Sequence, residues 1–438
     1  MKRTIPAALA AAFCLASPIH SSSAAAQDTA RAQPSAPPAA AVRDTPRSPP
    51  PRILVGGQIR LRGEWDDRHV LADQRVNVYL LRTRLRATAK PLPWITVLGE
   101  LQDARYLGES DPLLGRGTLD NTAPQLDMHQ AYAQIDTPLS LPVQLRFGRQ
   151  EMPLGNERLV GPATWINPAR SFDGARATWF PARTVTVDAW AHRLAAPSVA
   201  AIGAQDFYGA WATWRPVRTV AAEAFAMRDD NTGRIRLGPD LGRRILGRNT
   251  FGANLRGSVG RLALELESAA QTGQSAGTDS TSREEIRAFL GSVTGSVALV
   301  PRTQTRLGGV LTVLSGDGTP GDGRDERFNT LFGSGHRFYG TMDIVPELSG
   351  THGLVDAGVT LAHAPMPALR LLLEGHRFLP QRGDDAFGSE ADLTAFWRVA
   401  PPFELSGGAS AFRTGQLLEP RLGEGTRVWV YVQGTFDF

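Results

Sequence analysis

Hydrophobic and polar residues alternate along most of this chain. In ILVGGQIRLRGEW, Ile53, Val55, Ile59, Leu61 and Trp65 alternate with Gln58, Arg60, Arg62 and Glu64. In YLLRTRLRATAK, Tyr79, Leu81, Leu85 and Ala87 alternate with Arg82, Arg84 and Arg86. The pattern returns at Val185, Val187 and Ala189, at Leu262, Leu264 and Leu266 against Glu265 and Glu267, and at Val428, Val430 and Val432 against Arg427, Tyr431 and Gln433. A period of two puts each set on one face of a β-strand. We count about eighteen such segments, mostly of about ten to fourteen residues. Strands of soluble sheets average about 5–6 residues, whereas a tilted strand crossing a bilayer needs about 9–11.

The connections sort by parity. Short, proline-bearing ones follow the even strands: KPLP at 90, TPLSLP at 137, FPAR at 180, RPVR at 215, VPR at 300, APMP at 364 and APP at 400. Long ones follow the odd strands, near 104–124, 152–171, 229–247, 315–350 and 413–424. Proline breaks strand pairing and presets a turn. Short periplasmic turns opposite long extracellular loops mark an outer-membrane barrel, and a soluble sandwich has no reason to sort loops this way. The terminal VWVYVQGTFDF closes the alternation on Phe438. These features predict an all-β fold, a transmembrane antiparallel β-barrel of about eighteen strands with short periplasmic turns and long extracellular loops.

The N-terminus fits that destination. Lys2 and Arg3, the apolar run AALAAAFCLA and small residues at Ala24 and Ala26 predict a signal peptide over residues 1–26, cleaved before Gln27. Cys14, the only cysteine, lies within it, so the mature chain can form neither disulfide nor cysteine metal site. Residues 27–52, rich in proline, read as a disordered periplasmic spacer, and 53–438 as the barrel. No later stretch is long and apolar enough for a transmembrane helix.

Charge enters next. The formal net charge is +4 with 21% charged residues, too balanced for a nucleic-acid binder. Lysine occurs only at Lys2 and Lys90, so nearly every cation is a guanidinium, which stays charged and grips carboxylates bidentately. If apolar faces meet lipid, polar faces line the lumen. The first, second and last strands meet on closure and carry Arg60, Arg62, Arg82, Arg84, Arg86 and Arg427 inward, while strands halfway round carry Glu223, Glu265 and Glu267. Two readings stand side by side. Neighbouring charges such as Glu64, Glu100, Glu374, Asp392 and Arg398 pair and keep the lumen wet, or the guanidiniums select anionic solutes, since three arginines at alternate positions of one strand do not easily all find partners.

Motifs for chemistry are poor. Asp317, Asp322, Asp325 and Glu326 in SGDGTPGDGRDE do not match the calcium-loop spacing, and GSGHRFYG at 333 lacks the strand–helix setting of a phosphate loop. His129, His192, His336 and His376 accompany no nucleophile elbow or paired-histidine metal motif. We expect neither an enzyme nor a cofactor.

One segment breaks the alternation: RFGRQEMPLGNERLVGPATWINPARSFDGAR, residues 146–176, with five arginines, Arg146, Arg149, Arg158, Arg170 and Arg176. Its middle, punctuated by Pro153, Gly155, Gly161, Pro162 and Pro168, reads as a long loop between the fifth and sixth strands, and Leu159, Val160, Trp165 and Ile166 argue that it folds over or into the pore. With LDMHQAYAQID before it and SGDGTPGDGRDERFNTLFGSGHRFYGTMD later, this segment resembles the alginate export family of outer-membrane barrels over residues 53–438. The resemblance implies a monomeric eighteen-stranded pore whose loops restrict an arginine-rich constriction, and it makes Arg149, Arg158, Arg170 and Arg176 candidates for solute contact, with Asp173 and Glu157 as local partners. The expected function is an outer-membrane channel for an anionic polysaccharide such as a polyuronate, or for related acidic sugars. A general porin for small anionic solutes is the alternative, and a structural or adhesive barrel a third. Expected partners are the acidic solute, outer-membrane lipid and, for export, periplasmic components.

Overall fold

A chain crossing lipid must satisfy every backbone N–H and C=O within itself, and a closed sheet does so without edges. The computed structural model describes residues 52–68, 76–107, 126–137, 141–194, 205–231, 244–276, 283–345 and 349–438. The expected signal peptide and all but the last residue of the expected spacer lie outside the described residues.

The strands are β1 (Arg52–Asp66), β2 (Val76–Leu92), β3 (Ile95–Tyr106), β4 (Leu126–Asp136), β5 (Val143–Gln150), β6 (Phe172–Ala182), β7 (Val185–Leu194), β8 (Gln205–Val217), β9 (Val220–Asn231), β10 (Arg244–Val259), β11 (Leu262–Ala276), β12 (Arg283–Val300), β13 (Thr305–Leu314), β14 (Arg324–Asp325), β15 (Leu354–Met366), β16 (Leu369–Leu379), β17 (Gly388–Ala400), β18 (Phe403–Thr414) and β19 (Thr426–Asp437). Each pairs antiparallel with the next, except that β13 pairs with β15 and the two-residue β14 lies parallel against β12. β1 pairs with β19 from Gln58↔Asp437 to Asp66↔Trp429, so eighteen strands close. Phe438 exchanges backbone hydrogen bonds with Gly57 at 2.8 and 3.0 Å, which extends the closing seam.

The burial pattern is inside out. Leu61 is 51% exposed, while Arg62 beside it is 1% exposed. The apolar face of each strand therefore meets lipid, and the polar face meets protein filling the lumen. Trp179, Trp214, Trp397 and Phe436 stand exposed on the outer face near the periplasmic strand ends, where aromatic rings suit a lipid interface. The turns at residues 93–94, 183–184, 218–219, 260–261, 367–368 and 401–402 are short, as the parity of connections predicted.

Inside the barrel lies an apolar cluster. Met152, Leu154, Leu159, Val160, Phe328, Phe332, Tyr339, Met342, Ile344 and Val345, all from two extracellular connections, pack against inward-facing Phe172, Trp190, Phe207, Trp211, Phe225, Phe378, Phe412 and Trp429. Residues 151–171 and 325–345 therefore enter the barrel instead of capping it.

Candidate functional site

The first inward segment is clasped where it leaves the wall. His129 on β4 lies 2.7 Å through Nε2 from Glu151 Oε1 and 3.1 Å through Nδ1 from Ser171 Oγ, so one ring joins both ends of the segment. Arg84 reaches the same Glu151 oxygen at 3.4 Å. Burial alone would raise the Glu151 carboxyl, but the His129 hydrogen bond and the charge of Arg84 outweigh it and hold it down at about 2. Serine, histidine and glutamate in a row have the composition of a hydrolytic triad. Here Ser171 donates its proton to the His129 backbone carbonyl at 2.6 Å and both residues are buried, so the row is a fastening.

From this clasp the chain crosses the lumen. Gly155, at φ +61°, allows the entry, because a Cβ there would lie 2.5 Å from the Trp211 ring. Asn156 then donates to Glu265 at 2.7 Å and Glu267 at 2.8 Å, and Arg158 pairs with Glu267 at 2.8 Å, all on β11. A few residues later the chain has reached β1 and β2, on the other side of the eighteen-strand ring. Arg60 donates to the Thr164 carbonyl at 2.7 Å and Asn167 Oδ1 at 3.0 Å, Arg82 to the Thr164 carbonyl at 3.0 Å, and Arg62 to the Trp165 carbonyl at 2.9 Å. The Arg62 guanidinium also lies 3.9 Å over the Trp165 ring, which stacks on His336 at 4.0 Å and meets Trp429 and Tyr431 edge-on at 5.8 and 5.0 Å. The segment is a strap bolted to opposite walls. Glu157, Ala163 and Ala169 hold positive φ of 68°, 48° and 60°, each costing about 1–2 kcal/mol for an L-residue. The bolts offset that strain.

The second inward segment locks onto the first. Leu159 and Gly161 exchange backbone hydrogen bonds with Phe332, Ser334 N–H donates to the Glu157 carbonyl at 2.8 Å, and Arg337 pairs with Glu157 at 2.9 Å. Arg170 donates to the carbonyls of Gly161, Phe332 and Gly333, with no carboxylate among those acceptors, and burial lowers its pKa to about 10. The segment's own wall contacts include Met342 N–H to Glu390 at 2.8 Å, Thr341 to Asp392 at 2.6 Å and Asn329 N–H to Gln271 at 3.0 Å.

The expected site residues divide by placement. Arg60, Arg62, Arg82, Arg158 and Arg170 all lie inside the barrel, but the contacts above tie them to the strap and its neighbour. Glu265 and Glu267 are the strap's far anchors, and Glu223 pairs with Arg256 at 2.7 Å. Arg84 and Arg86 face the periplasmic half of the lumen and converge on Glu100, at 3.7 and 2.5 Å. Arg146 faces inward, donates to Gln134 at 2.7 Å and covers the Tyr132 ring at 4.4 Å, and Arg176 pairs with Asp188 at 2.9 Å. Arg427 faces inward at the extracellular end of β19, close to Gly423. Arg149 does not join them. It alternates with Arg146 and Gln150 and shares the outward face of Phe147, so strand parity places it on the outer rim, paired with Asp173 at 2.7 Å. Of the two expected local partners, Asp173 holds Arg149, while Glu157 serves Arg337 of the other segment instead.

Sequence reasoning missed the clasp, because His129, Glu151 and Ser171 are far apart in the chain and match no motif. It also missed the second inward segment. The apolar residues Phe328, Leu331, Phe332, Phe338, Tyr339 and Met342, too many for a solvated loop, were the available signal.

A family model for alginate export matches residues 52–421. The chain belongs to the alginate export family. Solved structures similar to this family member include the outer membrane protein OpdK from Pseudomonas aeruginosa (11% identity, 88% of this chain and 98% of that one, TM-score 0.59). OccD3 (OpdP) of the same organism covers 88% of this chain and 91% of its own at 9% identity and TM-score 0.59, and OccK8 (OprE) covers 88% and 98% at 14% and 0.55. At such identities the likeness concerns the fold. No curated protein matches the chain. Family and fold together make it an outer-membrane channel of a Gram-negative bacterium.

Proposed function

We propose that this channel passes acidic carbohydrate, a polyuronate or its oligomers, past the strap and along guanidiniums in the periplasmic half of the lumen. The observation that carries the reading is a set of inward arginines that do not hold the strap. Arg146 on β5 rests on the neutral Gln134, Arg306 on β13 donates to the Ser296 hydroxyl at 3.0 Å, and Arg215 on β8 is exposed to the lumen. Three acids at this level are taken up by other arginines, Glu100 by Arg84 and Arg86, Asp188 by Arg176 and Glu223 by Arg256, while Asp136 accepts from Gln134 and Gln144. A uronate carboxylate trades hydration for charge-assisted hydrogen bonds at such sites, and several weak sites in succession let it move on. Membership of the alginate export family supports the same choice of cargo.

A second reading, a porin for small acidic solutes, draws support from the strap itself, since a bar across the lumen favours compact cargo. OpdK, similar in fold, was solved with vanillate. Planar-bilayer recordings separate the two. Block of ion current by oligouronates at concentrations where the monomeric uronate has no effect supports the first, and equal block by monomer and oligomer supports the second. Arg146→Ala with Arg306→Ala should weaken block and anion preference together. Unchanged block in that variant would remove these guanidiniums from the account.

A further inference from the structure

The outer face of the barrel, among the described residues, carries arginine only at its extracellular rim. Among the described residues, Arg105, Arg149, Arg193, Arg228, Arg287, Arg377 and Arg413 sit within a few residues of extracellular strand ends, and no arginine or lysine occupies the outward face in the periplasmic halves. On β8, Asp206 at this rim and Trp214 near the periplasmic side are eight residues apart, about 26 Å along the strand and about 20 Å along the membrane normal at a tilt of about 40°. The rim therefore lies at the headgroups of the extracellular leaflet.

Two sectors of this rim differ. Across β5 to β8 the register sets Arg149, Asp173, Arg193 and Asp206 side by side with alternating sign, each satisfying its neighbour. Across β15 to β19 the corresponding row is Ala357, Arg377, Ser389, Arg413 and Thr426, with no carboxylate. Arg377 donates one hydrogen bond to the Ser389 hydroxyl at 2.9 Å, and Arg413 is exposed on the other side of the same serine. Their strands are two spacings apart, about 10 Å between backbones, a gap that two long side chains close on one tetrahedral anion. Each guanidinium has five N–H donors, well beyond what one hydroxyl uses.

We propose that Arg377, Ser389 and Arg413 form an outward-facing site for a phosphate of the phosphorylated glycolipid in the extracellular leaflet. The guanidiniums grip the phosphate bidentately, and the acyl chains lie down the apolar face below, over Leu373 and Leu393. The site fixes the barrel's depth in the membrane at one sector of its circumference and plays no part in conduction.

The test uses the full barrel in nanodiscs titrated with lipid A, dephosphorylated lipid A and inorganic phosphate, followed by thermophoresis. Expected are tight binding of lipid A, at least tenfold weaker binding by Arg377→Gln with Arg413→Gln, near-native binding by the paired lysine substitutions, and less than twofold change for Arg193→Gln in the zippered sector. Retained heat-modifiable migration on gels shows that each variant is folded. Lipid A binding unchanged in the double glutamine variant overturns the site. Equal affinity for dephosphorylated lipid A, or for inorganic phosphate, overturns the assignment to a lipid phosphate.

Discussion

Arg158→Ala should turn the strap from a fixed bar into a moving one. Arg158 is 4% exposed and Glu267 is 5% exposed, and they pair at 2.8 Å with Asn156 as the carboxylate's other donor. Removing one partner of a buried pair leaves a charge with too little compensation and costs about 3–5 kcal/mol. The Phe338 ring, 4.2 Å below the guanidinium, loses its cation as well, about 1–2 kcal/mol more where water is excluded. Part of this returns as the strap relaxes, because Glu157, at φ 68°, no longer has to hold its strained turn. A net change of about 3 kcal/mol shifts the docked-to-undocked ratio of the strap by a factor of about 150. The eighteen-strand wall does not depend on the strap, so the variant still inserts. Single-channel recording should show larger mean conductance with frequent transitions between levels. Glu267→Gln should act in the same direction and less strongly, because an amide oxygen still accepts from Arg158. Wild-type conductance and open-channel noise in Arg158→Ala would refute the claim that this pair holds a bar across the lumen.

Trp165→Ala removes the ring held between Arg62 and His336, and by loss of packing alone should cost about 3–5 kcal/mol of strap and second-segment docking, read as faster protease cleavage within residues 151–171 and 315–345. The clasp sets a pH dependence. Glu151 binds fewer protons folded than unfolded, so its contribution of about 3 kcal/mol is complete above its ordinary value near 4.5 and fades as pH falls towards 2. Docking of the strap, read as protease resistance within residues 151–171, should therefore keep the clasp's contribution between pH 7 and 5 and lose it between pH 4 and 2, while Glu151→Gln should be the more sensitive variant at pH 7. Leu264→Arg places a charge on the lipid face and should cost about 2–4 kcal/mol in denaturant unfolding from vesicles, whereas Thr294→Arg on the lumen face, opposite Glu265 in the register, should be tolerated.

The wall was legible in the sequence because its physics is local. A period of two assigns each residue to lipid or lumen, and proline turns at alternate connections give the topology, so Arg60, Arg62, Arg82 and Glu267 could be placed inward before any contact was known. The partners of those residues were not legible. Arg60 meets Thr164 and Asn167 more than a hundred residues away, and nothing in either sequence neighbourhood encodes the meeting. Arg149 shows the same limit from the other side. It lies in a segment that reads as irregular, yet strand β5 continues through it and turns it outward. The apolar residues of 328–345 were visible, but a hydrophobic loop on a barrel can cover the mouth or enter it, and only tertiary contact with Leu159 and Phe172 decides.

The most direct test of the central claim is the reversal potential of the purified channel under a salt gradient, measured with and without oligouronate on the periplasmic side. The account predicts a reversal potential on the anion side and a concentration-dependent block of current by the oligouronate, both diminished in Arg146→Ala with Arg306→Ala. A cation-selective reversal potential, with current unaffected by oligouronate, would contradict it.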